Sequence, residues 1–115
     1  ALFRSFEIKE GEIDISSMVP EIIELSKTAA GKTEIASRFI VTVAAMIEYF
    51  ARRHPDFPVV IGGGVFQNRA LTASLYRRFA NRRFYAQQAT PLNDGGIALG
   101  QLYYAIHNSK DKNGR

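Results

Sequence analysis

The chain has 115 residues, 46% of them hydrophobic and 23% charged, with a formal net charge of +4. That is one domain's length of chain with enough apolar content for a core, which excludes a disordered or low-complexity protein. The absence of cysteine excludes disulfides and thiolate metal sites within the chain; no apolar run reaches the ~18 residues of a membrane span and no apolar leader is read at the start, so a cytoplasmic setting is the expectation.

Residues 2–8, LFRSFEI, alternate and read as a strand. KEGE follows as a turn and IDI as a second strand, which predicts a hairpin. SSMVPEIIELSKTAAG reads as a helix, with Pro20 near its start and Gly31 as its stop. The longest helix is predicted over TEIASRFIVTVAAMIEYFARRH. Ile35, Phe39, Val43, Met46, Ile47 and Phe50 form one stripe at spacings of three and four. Thr33 is its predicted cap, His54 closes it and Pro55 ends it. A strand at Val59–Ile61 leads into glycines and then a helix from about Gln67 to Ala80, with Leu71, Leu75 and Phe79 on its buried face. RFYA is a short strand, TPLNDGG a loop and IALGQLYYAIH a last helix, with Tyr103 and Tyr104 read as core and rim. Residues 1–107 form the predicted domain, and 108–115, with no apolar anchor, a flexible tail. The alternation of strands and helices defines an α/β class.

Gly62, Gly63 and Gly64 sit between a strand and a helix. A dinucleotide fingerprint needs a third glycine where Gln67 stands, and an acidic residue after the next strand, which is missing. GKT at Gly31–Thr33 imitates a phosphate loop, but Ser26 occupies the position of its first glycine and a helix precedes it. A third reading is an adenosine-type loop, in which backbone N–H groups and a helix N-terminus face an anion, with Asn68 as a polar handle one turn into the helix. The plain alternative is a tight strand–helix turn in which glycine permits close packing.

PLNDGGIALGQ, from Pro91 to Gln101, repeats the theme. Asn93 or Asp94 suits a helix N-cap. The functional alternative is that Asp94 holds a metal ion beside phosphates. Gly95 and Gly96 are poor helix formers, and two of them in a first turn suggest backbone approaching a ligand.

GGVFQN at Gly63–Asn68, followed by P-x-NDGGIALGQ at Pro91–Gln101, resembles the end of the HypF family of carbamoyltransferases, which mature [NiFe]-hydrogenases. The likeness is good from about Glu34 to Tyr104. It implies that the chain is the last portion of a much longer protein. The implied fold is one lobe of an actin-like ATPase (ASKHA) fold, a mixed sheet with flanking helices, similar to the enzymes that make threonylcarbamoyl-adenosine on tRNA. The implied chemistry is transfer of a carbamoyl group from carbamoyl-adenylate, made upstream from ATP and carbamoyl phosphate, to the C-terminal cysteine of the partner HypE. Gly62, Gly63, Gly64, Asn68, Gly95 and Gly96 would then bind the nucleotide. Asp94 would bind a divalent metal whose other ligands lie in a second lobe. An exposed cleft face would favour self-association. Other expectations compatible with the sequence are a tRNA threonylcarbamoyltransferase-like protein and a non-catalytic nucleotide-binding or interaction module. The chain departs from the family pattern at Ile40 and Gln87, where histidine is frequent, and at Gly62, where serine is common.

Arg77, Arg78, Arg82 and Arg83 cluster late in a helix. Without interleaved aromatic residues they read as a solvated face and not a nucleic-acid patch.

Overall fold

The structure, a computed structural model, describes residues 6–87 and 94–113. It opens with an antiparallel hairpin of β1 (Glu7–Lys9) and β2 (Glu12–Asp14). Glu10 and Gly11, both at positive φ (52° and 85°), make the two-residue turn, whose twist matches that of the strands. Phe6 anchors the hairpin edge-on against Tyr49, with ring centroids 6.2 Å apart.

Two helices follow, α1 (Met18–Ser26) and α2 (Gly31–Arg52). Helix α1 ends where side-chain hydroxyls take its last carbonyls: Ser26 Oγ donates to the Ile23 carbonyl (2.7 Å) and Thr28 Oγ1 to that of Leu25 (2.9 Å). Gly31 is not the stop of α1 but the first residue of α2. Thr33 lies inside α2, whose N-cap is Ala30 with no side-chain cap. Arg38 joins the two helices by an ion pair of 2.7 Å to Glu21. The core face of α2 carries Ile40, Val43, Ala44, Ile47 and Ala51. The predicted stripe is therefore right at Val43 and Ile47 and rotated elsewhere, and Phe39 is 50% exposed. Thr42 is fully buried on this helix, its hydroxyl satisfied by the Arg38 carbonyl at 2.7 Å.

The remainder is a β–α–β unit and a last helix. Strand β3 (Val59–Ile61) pairs in parallel with β4 (Phe84–Ala86), in the register Val59↔Phe84, Val60↔Tyr85, Ile61↔Ala86. Between them run a 3-10 turn, Gly64–Gln67, and α3 (Arg69–Arg78). Alternation sends Ile61, with Val59, Phe84 and Ala86, against α2 and α3. Leu71, Leu75 and Phe79 meet them as expected, and Phe79 stacks on Phe84 at 5.2 Å. The opposite face is bare: Val60 is 70% and Tyr85 54% exposed. Parallel sheets ordinarily carry a layer on both faces.

A 3-10 turn at Asp94–Gly96 opens α4 (Ile97–Asn113), which continues past the expected end at residue 107. Tyr103 and Tyr104 are exposed on it and are not core. The helix projects, giving overall extents of 66 × 29 × 27 Å and a radius of gyration of 18.5 Å. A compact chain of this length has about 13 Å. Among the described residues no helix is long and apolar enough to cross a membrane.

Candidate functional site at the carboxyl ends of the parallel strands

The register of β3 and β4 decides where the two glycine motifs lie. Ile61 pairs with Ala86, so Gly62 and Gln87 leave the sheet side by side at its carboxyl end. In open α/β sheets this is the end at which ligands bind.

Gly63 has φ 102° and ψ 159°, a conformation that L side chains rarely adopt. Around Gly62, Gly63 and Gly64 an added Cβ would meet nothing within 4 Å. The close-packing explanation for these glycines therefore fails. Only Gly63 needs glycine for its backbone, and the surface of the other two is open. After the loop the chain locks down. Phe66 N–H donates to the Gly63 carbonyl (3.1 Å), Thr72 Oγ1 to that of Phe66 (2.7 Å), and the Phe66 side chain packs against the core.

Asn68 differs from its expected place. It is the N-cap of α3, with φ −67° and ψ 109°, and its Oδ1 accepts from Leu71 N–H at 3.1 Å. The short 3-10 turn before it, absent from the sequence reading, displaces the helix start from Gln67 to Arg69. The Asn68 side-chain oxygen is thus occupied, and the residue lies at a small apolar cavity. This cavity, about 80 Å3, is lined by Phe39, Ile40, Val43, Val65, Asn68 and Leu71. Ile40 lines this cavity beside the glycine loop. Sequence periodicity placed Phe39 in the core; the exposure of Phe39 and Val65 beside this loop had no local signal.

Asp94 opens the second motif as the exposed first residue of its 3-10 turn. Gly95 and Gly96 follow it in the same turn. Pro91, Leu92 and Asn93 lie outside the described residues, so Asn93 as a cap is not placed. A Cβ on Gly96 would stand 2.7 Å from the Gln87 side-chain nitrogen. Gln87 thereby joins the end of β4 to the Asp94–Gly96 turn, a role the sequence did not signal. Among the described residues no three His, Asp or Glu side chains gather to hold a metal. His54 lies edge-on to Phe57, and His107 bonds the Tyr103 carbonyl through Nδ1 at 2.9 Å.

The arginines are a solvated face only in part. Arg78 pairs with Glu48 on α2. Arg82 donates to the carbonyls of Ala51, His54 and Phe57, and Arg83 to that of Asp56 at 2.8 Å. The end of α2 and the turn after it present their carbonyls to the guanidinium groups, which add to the backbone bonds that Ala51 and His54 already accept from His54 and Phe57. Arg77 and Arg83 stay exposed, while Arg78 and Arg82 are partly buried. Burial acts to raise the Glu48 carboxyl, but the hydrogen bonds and charges of Arg78 and Arg52 prevail and hold it below its ordinary value of 4.5.

Comparison with known proteins gives consistent results. Residues 2–101 match the family described as carbamoyltransferase, Kae1-like domain, second subdomain. The chain is 31% identical over 106 residues to the carbamoyltransferase HypF of Rhizobium leguminosarum bv. viciae, covering 87% of this chain and 14% of that protein. It is 50% identical over 50 residues to the carbamoyltransferase HypF2 of Cupriavidus necator, covering 42% of this chain and 6% of that protein. The chain thus spans a small part of the curated relatives it matches. No solved structure matches it. With a Kae1-like match across most of its length, two curated HypF relatives, and a mixed α/β architecture of small sheets and helices, the chain belongs to the HypF carbamoyltransferase family, as the second subdomain of its Kae1-like domain.

Proposed function

We propose that the chain is one lobe of an actin-like ATPase fold and forms half of a carbamoyl-transfer site. In this reading the donor is carbamoyl-adenylate, formed upstream from ATP and carbamoyl phosphate. The acceptor is the C-terminal cysteine of a HypE-like protein, on the route to the cyanide ligands of [NiFe]-hydrogenase. The observation that carries it is the open glycine loop at the carboxyl end of paired parallel strands. Among the described residues nothing fills the space over Gly62, Gly63 and Gly64, so a flat or charged ligand can approach the backbone closely.

The residues fit a nucleotide. Backbone N–H groups of the loop would face its phosphate, and the apolar wall of Phe39 and Val65 lies beside the loop for a base. Gly95 and Gly96 would bring a second backbone segment to the same ligand. Asp94 fits as one oxygen ligand of a divalent metal, with the remaining ligands from the other lobe; such a metal would polarise the phosphate or carbonyl oxygen of the donor. The bare face at Val60 and Tyr85 and the exposed apolar residues of α4 are surfaces that the second lobe, or a second copy of the chain, would cover.

The test uses the full-length protein with ATP, radiolabelled carbamoyl phosphate and an acceptor ending in cysteine. The label should appear on the cysteine. Gly64→Val should abolish transfer while carbamoyl-adenylate still forms upstream. Undiminished transfer by this variant would overturn the assignment of the loop, and the 115-residue chain alone should transfer nothing.

A further inference from the structure

A second site lies at the opposite end of the strands. The turn before β3 and the start of β4 meet there, where Val59 N–H donates to the Arg83 carbonyl at 2.9 Å. A cavity of about 170 Å3 opens beside them, lined by Glu48, Arg52, Arg78, Phe79, Asn81 and Arg82. This is well above the ~10–15 Å3 that one water needs.

Its lining carries three guanidinium groups and one carboxylate. Glu48 already accepts from both Arg52 (2.6 Å) and Arg78. Arg82 donates to the neutral carbonyls of Ala51, His54 and Phe57 and has no carboxylate partner among the described residues. The local balance is thus two positive charges in a partly enclosed space. The carboxyl ends of α2 and α3 both lie here, and their partial negative charges, about half a charge each, offset part of that excess without cancelling it. One guanidinium donor is left over. Arg82 Nε is buried with no hydrogen-bond partner among the described residues. Such a group is rare and costs stability where it stands. Arg82 also cannot relieve the cost by losing its proton.

We propose that this cavity is an anion site, distinct from the glycine-loop site, that takes a phosphate or phosphoryl group held by Arg52, Arg78 and Arg82. The three guanidinium groups come from the end of α2, the end of α3 and the turn before β4. All three line one cavity, which suits an oxyanion with several acceptor oxygens better than a carboxylate served by one fork. Each carries five donors, so a single Glu48 oxygen exhausts neither Arg52 nor Arg78. Arg52 is the exposed arm, with its side chain 77% exposed against 27% for Arg78.

The experiment is a titration of the 15N-labelled 115-residue chain with inorganic phosphate, at ionic strength held constant with sodium chloride, reading the arginine Nε–H signals. The Arg82 and Arg52 signals should shift and saturate. Arg52→Gln should weaken phosphate binding about tenfold, the loss of one hydrogen bond to a charged group, with core signals unmoved. Equal shifts with chloride alone, no saturation, or unchanged affinity in Arg52→Gln would overturn the proposal. Saturable binding of acetate at the same signals, as tight as phosphate, would overturn the phosphate assignment in favour of a carboxylate.

Discussion

The Gln87 side-chain amide nitrogen lies 2.7 Å from where a Cβ on Gly96 would stand, which couples the end of β4 to the turn that presents Asp94. The contact is with the far end of a flexible side chain. Gly96→Ala should therefore change stability by less than about 1 kcal/mol, because Gln87 can swing away. Gly31 is the contrasting case. A Cβ there would lie 1.9 Å from the Leu25 carbonyl oxygen, which is main chain and cannot yield locally. Gly31→Ala should cost about 2–3 kcal/mol through forced separation of α1 and α2. Urea denaturation of both variants checks the difference.

Gly63 and Gly64 should separate stability from binding. Gly63→Val places a β-branched residue at φ 102° and should cost about 1–3 kcal/mol of stability. Gly64→Ala meets no atom within 4 Å and should leave stability almost unchanged. In the full-length protein both should weaken an adenylate analogue, measured by calorimetry. Normal affinity in a folded Gly64→Ala variant would return the loop to a plain turn.

Asn68 caps α3 through Oδ1. Asn68→Ala should lower stability by about 1 kcal/mol, whereas Asn68→Asp should not, since both types cap well. Thermal melting distinguishes them.

Asp94→Asn addresses the proposed metal. Asn is as good as Asp at a helix start, so the turn should survive while the metal content of the full-length protein falls. Elemental analysis is the measurement, and equal metal in variant and parent would leave Asp94 with a helix-start role only.

Glu48 should make stability acid-sensitive. Its folded carboxyl lies below the ordinary value of 4.5, because the arginines outweigh burial. The unfolded chain therefore binds more protons through the window below that value, and stability falls as pH drops through it. The contribution is fully present above the ordinary carboxylate range. Glu48→Gln should flatten this part of the profile, read as the urea midpoint against pH.

Much of this protein is set locally and is legible in the sequence. Val59–Ile61 and RFYA are strands because β-favouring residues run between turn formers, and the buried face of α3 follows from Leu71, Leu75 and Phe79 repeating every four residues. The two glycine motifs and the family follow from the residues themselves. What the sequence does not determine depends on residues far apart meeting. The parallel register brings both motifs to one end of the sheet, a pairing between positions more than twenty residues apart. Gly31 is read locally as a helix stop, yet it is glycine because the Leu25 carbonyl leaves no room for a side chain. Phe39 has the spacing of a core residue, but the direction of α2 is fixed by its packing on α3, which turns Ile40 and Ala44 inward and leaves Phe39 half exposed. The arginines resemble a solvated helix end because their acceptors, Glu48 and the carbonyls of the α2–β3 turn, lie some thirty residues away. Periodicity reports which side of one element is apolar; only the packed structure decides which neighbour that side meets.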